Sequence, residues 1–194
     1  MYDDEFELTF DLSDEDKASR APEPEQEPVQ EAAPEPAAET EPPVEAVPEP
    51  AVPAANGRCV LISGGDRGIG AAAARAFWQA GYRVAVLYHT HAEAAAALEK
   101  ALPGLLAVQC DVASRASCEV AFHTVEQAVG HVDVLVSNAG IAQQKLFTDI
   151  TPEEWQHMLD VNLTGAFHLC QLALPGMIRR KAGRILTVSS MWGQ

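Results

Sequence analysis

From residue 58 onward the chain alternates unbroken apolar runs with stretches of helical period. "RCVLIS" (58–63) is a continuous apolar run of strand length, and "IGAAAARAFWQAG" (69–81) is helical, closing on Gly81 where a left-handed cap is favoured. "YRVAVLYH" (82–89) predicts a second strand and "AEAAAALEKAL" (92–102) a second helix, with Pro103-Gly104 as the turn. The rhythm continues through a strand at 105–112, a helix at 114–129 and a strand at 132–137. Thr151, Pro152 and Glu154 then supply a cap, a first-turn proline and a capping-box acid. They open one long helix over 151–181, with a bend expected near Pro175. "RILTVSS" (184–190) predicts a fifth strand. Strands that read as apolar runs are covered on both faces, so the expected class is α/β with a doubly wound parallel sheet. Ligands on such sheets bind beyond the carboxyl ends of the strands.

Residues 1–56 break this pattern. They hold ten of the 13 prolines and 17 of the 28 acidic residues, against two basic ones, so the net charge of −15 belongs to this segment and the rest of the chain is neutral. From Arg20 to Ala55 proline, glutamate and alanine cycle without enough apolar surface to offset the entropy of ordering, which predicts a disordered linker. The division is therefore a tail over 1–56 and a globular domain over 57–194. Ahead of the linker, "EFELTFDL" places Phe6, Leu8, Phe10 and Leu12 on one side of an extended segment, which could dock on a sheet edge. A solvated end is the plainer expectation, because a lone strand has nothing of its own to pair with.

The neutral domain offers no basic surface for nucleic acid. The acidic start lacks the features of a leader, and no apolar run approaches the ~20 residues that cross a bilayer. No membrane partner and a cytoplasmic location are expected. Cys59, Cys110, Cys118 and Cys170 are scattered, without a Cys-x-x-Cys spacing, and read as small buried thiols. The six histidines form no ligand spacing, so no metal site is expected.

The chemistry concentrates where strands end. "SGGDRGIG" joins the first strand to the first helix, and glycines there allow close approach of a phosphate to free N–H groups at the positive end of the helix. The spacing Gly64-x-x-x-Gly68-x-Gly70 resembles the Thr-Gly-x-x-x-Gly-x-Gly of the short-chain dehydrogenase/reductase family. Four more matches follow in order. Asp111 and Val112 in "CDV" resemble the family's adenine-contacting strand end, and "SNAG" (137–140) resembles its Asn-Asn-Ala-Gly. Asn162 in "VNLTG" matches the asparagine of the long fourth helix, and Ser190 matches the catalytic serine. Ser63 for threonine and Ser137 for asparagine are the departures. The resemblance covers 58–194 and implies a Rossmann fold, incomplete after the fifth strand. It implies cofactor contacts from Gly64, Arg67, Gly68, Ile69, Gly70, His89, Asp111, Val112, Asn138, Ala139 and Gly140.

A carboxylate at the end of the second strand would bind a free ribose 2'-OH and repel a 2'-phosphate. That place reads "LYHT", with Arg67 in the neighbouring loop, which favours NADP(H) over NAD(H). The family mechanism uses a tyrosine as general acid toward a carbonyl oxygen, with a lysine one helical turn on. Ser190 would position the carbonyl and Asn162 would support a proton-relay water. The Tyr-x-x-x-Lys itself is absent from the 194 residues, since Tyr2, Tyr82 and Tyr88 have no lysine four residues on. The chain as given is therefore expected to lack reductase activity, as the fragment of a carbonyl reductase.

"PGMIRRKAGRILTVSSMWGQ" is similar to bacterial 3-oxoacyl-acyl-carrier-protein reductases, and "LPGMIRRKAG" with "VSSMWG" resembles elongation factor P 5-aminopentanone reductases more closely still, implying a small-molecule or carrier-bound carbonyl substrate. A full-length relative would be a homo-oligomer paired through its fourth and fifth helices. Lacking the family's later elements, the fifth strand should be a bare edge, with Trp155, Leu159, Phe167 and Leu174 facing water. The alternative is a non-catalytic nucleotide-binding or interaction module whose acidic tail recruits a partner.

Overall fold

β1 (Cys59–Ser63) is buried at all five positions, as an apolar run must be when helices cover both faces of its sheet. The computed structural model describes residues 53–190. The alternating stretch at 5–12 and the expected linker lie outside the described residues, except for 53–56. There the Asn56 side-chain amide donates to the Ala80 carbonyl at 2.9 Å and its backbone N–H to that of Gly81 at 2.9 Å.

The elements follow as β1, α1 (Gly68–Gln79), β2 (Arg83–Tyr88), α2 (Ala92–Ala101), β3 (Leu106–Gln109), α3 (Arg115–Val129) and β4 (Val134–Ser137). A 3-10 turn (Phe147–Asp149), α4 (Pro152–Leu159), a π-helical turn (Asp160–Thr164), α5 (Gly165–Arg180) and β5 (Arg184–Thr187) complete the order. All strand pairs are parallel, in the spatial order β3-β2-β1-β4-β5. The predicted doubly wound sheet is what forms.

Alternation along β1 feeds two cores. Leu61 packs with Val125, Leu169 and Met177 of α3 and α5, while Val60 and Ile62 pack with Ala74 and Trp78 of α1 and Leu98 of α2. Gly81, at φ 79°, ends α1 in the left-handed conformation that its position predicted.

Two expectations need correction. The predicted single helix over 151–181 is not one unbroken α-helix: its regular hydrogen bonding is interrupted at Asp160–Thr164 by a π turn, and Pro175 sits inside α5. An extra residue in one turn leaves the apolar period on either side intact, so it leaves no mark in the pattern. The third, fourth and fifth strands are also shorter than predicted: 110–112 and 188–190 run on beyond the paired ladder, and 132–133 precede it.

Connections leave β1 toward β2 on one side, and the chain returns to pair β4 on the other. The two halves part at the carboxyl end of β1, where a crevice must open.

Candidate functional site

The crevice is a cleft of about 370 Å³ at the carboxyl ends of β1 to β4. Ser63 ends β1 fully buried, and its Oγ accepts the backbone N–H groups of Asn138 and Ala139, both at 3.0 Å. The Asn138 side-chain amide returns across the same gap to the carbonyls of Ser63 and Gly64, each at 3.0 Å. The ends of β1 and β4 are thus stitched by four hydrogen bonds, forming a floor.

The glycines make the loop thin. Gly64 has φ 60°, and a side chain there would stand 3.0 Å from the Ala139 Cα. A Cβ on Gly70 would drive into the Gly64 carbonyl, so only glycine lets α1 begin directly against the loop. The first turn of α1 has no acidic residue and no side-chain cap, leaving the positive helix end toward the cleft uncompensated.

Of the eleven predicted cofactor residues, ten line the cleft: Gly64, Arg67, Gly68, Ile69, His89, Asp111, Val112, Asn138, Ala139 and Gly140. Gly70 stands behind the wall, where it permits the packing just described. Asn162 lies on the π turn, with its Oδ1 accepting the Ile141 N–H at 2.8 Å and its Nδ2 donating to the Ile141 carbonyl at 3.0 Å. Both ends of its amide therefore clamp the loop that follows β4. Ser190 is exposed, beyond the end of β5 and outside the cleft lining.

Asp66, Thr90 and His91 also belong to the cleft wall, although sequence reasoning did not single them out. The Arg67 Nη1 lies 3.1 Å from His91 Nε2, and Thr90 Oγ1 lies 3.3 Å from His91 Nδ1. Asp66 Oδ2, on a side chain only 6 % exposed, lies 3.6 Å from His91 Nδ1 and has no hydrogen-bond partner. An acid thus does reach the end of β2, but from the glycine loop rather than from the strand. The nearest signal was the local "DRG" beside "HTH"; their approach is a matter of folding.

The cysteines are free thiols as expected, with one feature the spacing did not show. Cys59, Cys110 and Cys118 are buried and Cys170 is half-buried, yet Cys110 and Cys118 are a pair, Sγ to Sγ 4.0 Å. Among the described residues no group of three or more His, Cys, Asp or Glu side chains could hold a metal. No helix among them is long and apolar enough to cross a membrane.

A family model described as short chain dehydrogenase matches residues 58–194. An acetoacetyl-CoA reductase of Paracoccus denitrificans is 39% identical over 137 residues, covering 71% of this chain and 56% of that protein. The 3-oxoacyl-[acyl-carrier-protein] reductase MabA of Mycobacterium avium is 40% identical over 144 residues, covering 73% of this chain and 53% of its own length. Among solved structures, the crystal structure of gox2181 is similar with a TM-score of 0.65 at 32% identity, covering 70% of this chain and 55% of that one. The chain spans about half the length of the curated relatives it matches.

Proposed function

The chain belongs to the short-chain dehydrogenase family, and from that premise we propose that it is the nucleotide-binding part of an NADP(H)-dependent reductase acting on a 3-oxoacyl group held on a carrier. The observation that carries this reading is the cleft at the switch point of the sheet, with a glycine loop in which a side chain on Gly64 or Gly70 would collide with the backbone, and with the Arg67 guanidinium in its lining. The fit to a dinucleotide rests on Gly64 and Gly70, where a Cβ would collide with Ala139 and with the Gly64 carbonyl and so forbid this tight loop, and on the start of α1, whose first turn holds no acidic residue.

Bound there, the dinucleotide would supply a hydride. Gly64, Gly68 and Ile69 would hold its phosphates, Asp111 and Val112 its base, and Asn138 to Gly140 the ribose nearer the reacting ring. Arg67 is the residue for the 2'-phosphate, with His89, Thr90 and His91 lending hydrogen-bonding groups on the facing wall. Ser190 is assigned the carbonyl oxygen and Asn162 the proton path, the latter by holding the Ile141 backbone in place. The relatives' names, acetoacetyl-CoA reductase and 3-oxoacyl-[acyl-carrier-protein] reductase, share a 3-oxoacyl thioester, which is the substrate class proposed.

One observation favours a second reading for the cofactor. The buried, unpartnered Asp66 Oδ2 is an acceptor suited to a free ribose hydroxyl, which would favour NAD(H). Titrating the chain with NADPH and NADH, followed by nicotinamide fluorescence, separates the two. NADPH should bind more tightly, and Arg67→Ala should weaken it by roughly ten- to a hundredfold, the loss of a charge-assisted contact of about 1.5–3 kcal/mol, while leaving NADH unchanged. Equal binding of both would overturn the phosphate assignment, and binding of neither would overturn the dinucleotide reading. In the same tubes, acetoacetyl-CoA should cause no NADPH consumption by residues 1–194, because they contain no Tyr-x-x-x-Lys and acid–base catalysis is typically worth about 10² to 10⁴ in rate. Measurable turnover would place the proton donor elsewhere.

A further inference from the structure

The Cys110–Cys118 pair stands where the cleft wall meets the core. Cys110 directly follows β3, its N–H donating to the Tyr88 carbonyl at 2.8 Å, and it lines the cleft although only 3% exposed. Cys118 lies on α3, fully buried, with its Sγ 3.5 Å from the Val112 carbonyl oxygen. The turn between them is fastened at both ends. Ser117 Oγ accepts the Asp111 N–H at 3.0 Å, Asp111 Oδ1 accepts the Ala113 N–H at 3.0 Å, and Ser114 caps α3. The two sulfurs are therefore held facing each other by backbone bonds on either side, whatever the thiols themselves contribute.

We propose that Cys110 and Cys118 are an oxidisable dithiol, closed to an intramolecular disulfide by hydrogen peroxide that enters through the cleft. Cys110 is the attacking sulfur because it alone of the pair reaches the cleft wall. Its acidity agrees: the hydrogen bond with Cys118 holds Cys110 below the ordinary thiol range against the opposing effect of burial. The same bond, followed by burial, pushes Cys118 up. The Cys110 thiolate attacks the O–O bond, becoming a sulfenic acid and releasing one water after proton transfer. The Cys118 sulfur then displaces the sulfenic oxygen, which leaves with the Cys118 proton as a second water. Two thiols lose two electrons and two protons, and the peroxide is reduced to two waters.

Closure draws the sulfurs from 4.0 Å to about 2.05 Å and removes the thiol proton beside the Val112 carbonyl. Asp111 and Val112 lie between the two cysteines and both line the cleft, so the wall must shift with the bond. A consequence that rests on the dinucleotide reading is that bound nucleotide shields Cys110, and that the disulfide weakens nucleotide binding.

The test treats the 194-residue chain with hydrogen peroxide, alkylates the remaining thiols and maps peptides by mass spectrometry. The expected result is loss of two of the four thiols, with a peptide linked through Cys110 and Cys118 that forms faster in the folded chain than in urea. Cys118→Ser and Cys118→Ala should both stop at a trapped sulfenic acid on Cys110, and Cys110→Ser should leave Cys118 reduced. Retention of both thiols while Cys170 oxidises, or equal closure in urea, would overturn the proposal. Saturating NADPH, with its binding followed by fluorescence in the same sample, should slow closure; undiminished closure with NADPH bound would overturn entry through the cleft. Failure of NADPH to bind would count against the nucleotide reading alone, because the linked peptide decides the dithiol independently.

Discussion

Ser63 shows how much rests on one hydroxyl. It is fully buried and accepts two backbone N–H groups from the end of β4; these donors are themselves only half-buried, so removing the oxygen leaves them partly unsatisfied, at a combined cost of about 1–3 kcal/mol, below the full penalty for two buried groups. Ser63→Ala should destabilise the chain by about 1–3 kcal/mol in urea unfolding and loosen the cleft floor, whereas Ser63→Thr, which keeps the oxygen, should lose little. Equal losses would mean that volume rather than hydrogen bonding sets the residue. On the same strand, burial pushes the Cys59 thiol up to about 12, with Arg83 opposing. The folded chain holds that proton more tightly than the unfolded one. Its contribution is complete below the ordinary thiol value of about 8.5 and is lost as pH rises toward 12. Between those limits the thermal midpoint of Cys59→Ala should therefore fall less than that of the native chain. The glycine spacing and the Ser63 substitution were legible because they are local and their chemistry depends on residue type alone. The Asp66–His91 approach and the Cys110–Cys118 contact were not, since their partners are brought together by the turns between strands and helices.

α4 was the most legible element. Thr151 accepts the Glu154 N–H at 3.2 Å and Glu154 returns to the Thr151 N–H at 2.9 Å, forming the capping box the sequence predicted. Lys145, which donates to the Glu154 carboxylate at 2.6 Å, lowers its pKa, with the Thr151 backbone adding to the effect. A depressed carboxylate stabilises the fold above its unfolded pKa and ceases to do so as pH falls through its folded value. Helix content should accordingly fall on acidification through the lower carboxylate range, and Glu154→Gln should blunt that dependence. Thr151→Ala should cost about 1 kcal/mol at neutral pH, the usual value of a cap. If circular dichroism showed the acid response unchanged in Glu154→Gln, other carboxylates would be its source. The π turn after α4 was illegible for the opposite reason. It is specified by the pull of Ile141 on the Asn162 side chain, a contact across 21 residues, and by the fit of Gly165 against Val112, where a side chain would stand 2.9 Å from a methyl group.

At the scale of the whole molecule, the described sheet has an unequal pair of edges. β3 is partly covered, but all four residues of β5 are exposed, and the face of α4 and α5 shows Trp155, Phe167, Leu174 and Ile178 to water. Leu159, expected there too, is half-buried. Unpaired backbone along β5 beside that apolar surface is a template for joining another chain. The net charge of −15 works against association through repulsion, and salt screens that repulsion without weakening the apolar contact. A polypeptide of these 194 residues should therefore self-associate more as salt rises, the reverse of an ion-paired assembly. Light scattering across a salt series measures this directly. Leu186→Lys, which puts a charge on the exposed edge without entering either core, should shift association to higher protein concentration without altering the cleft at the carboxyl ends of β1 to β4, which β5 does not line. Association that declined with salt, or that ignored the lysine, would show that β5 and its neighbouring helices are not the surface through which the copies meet.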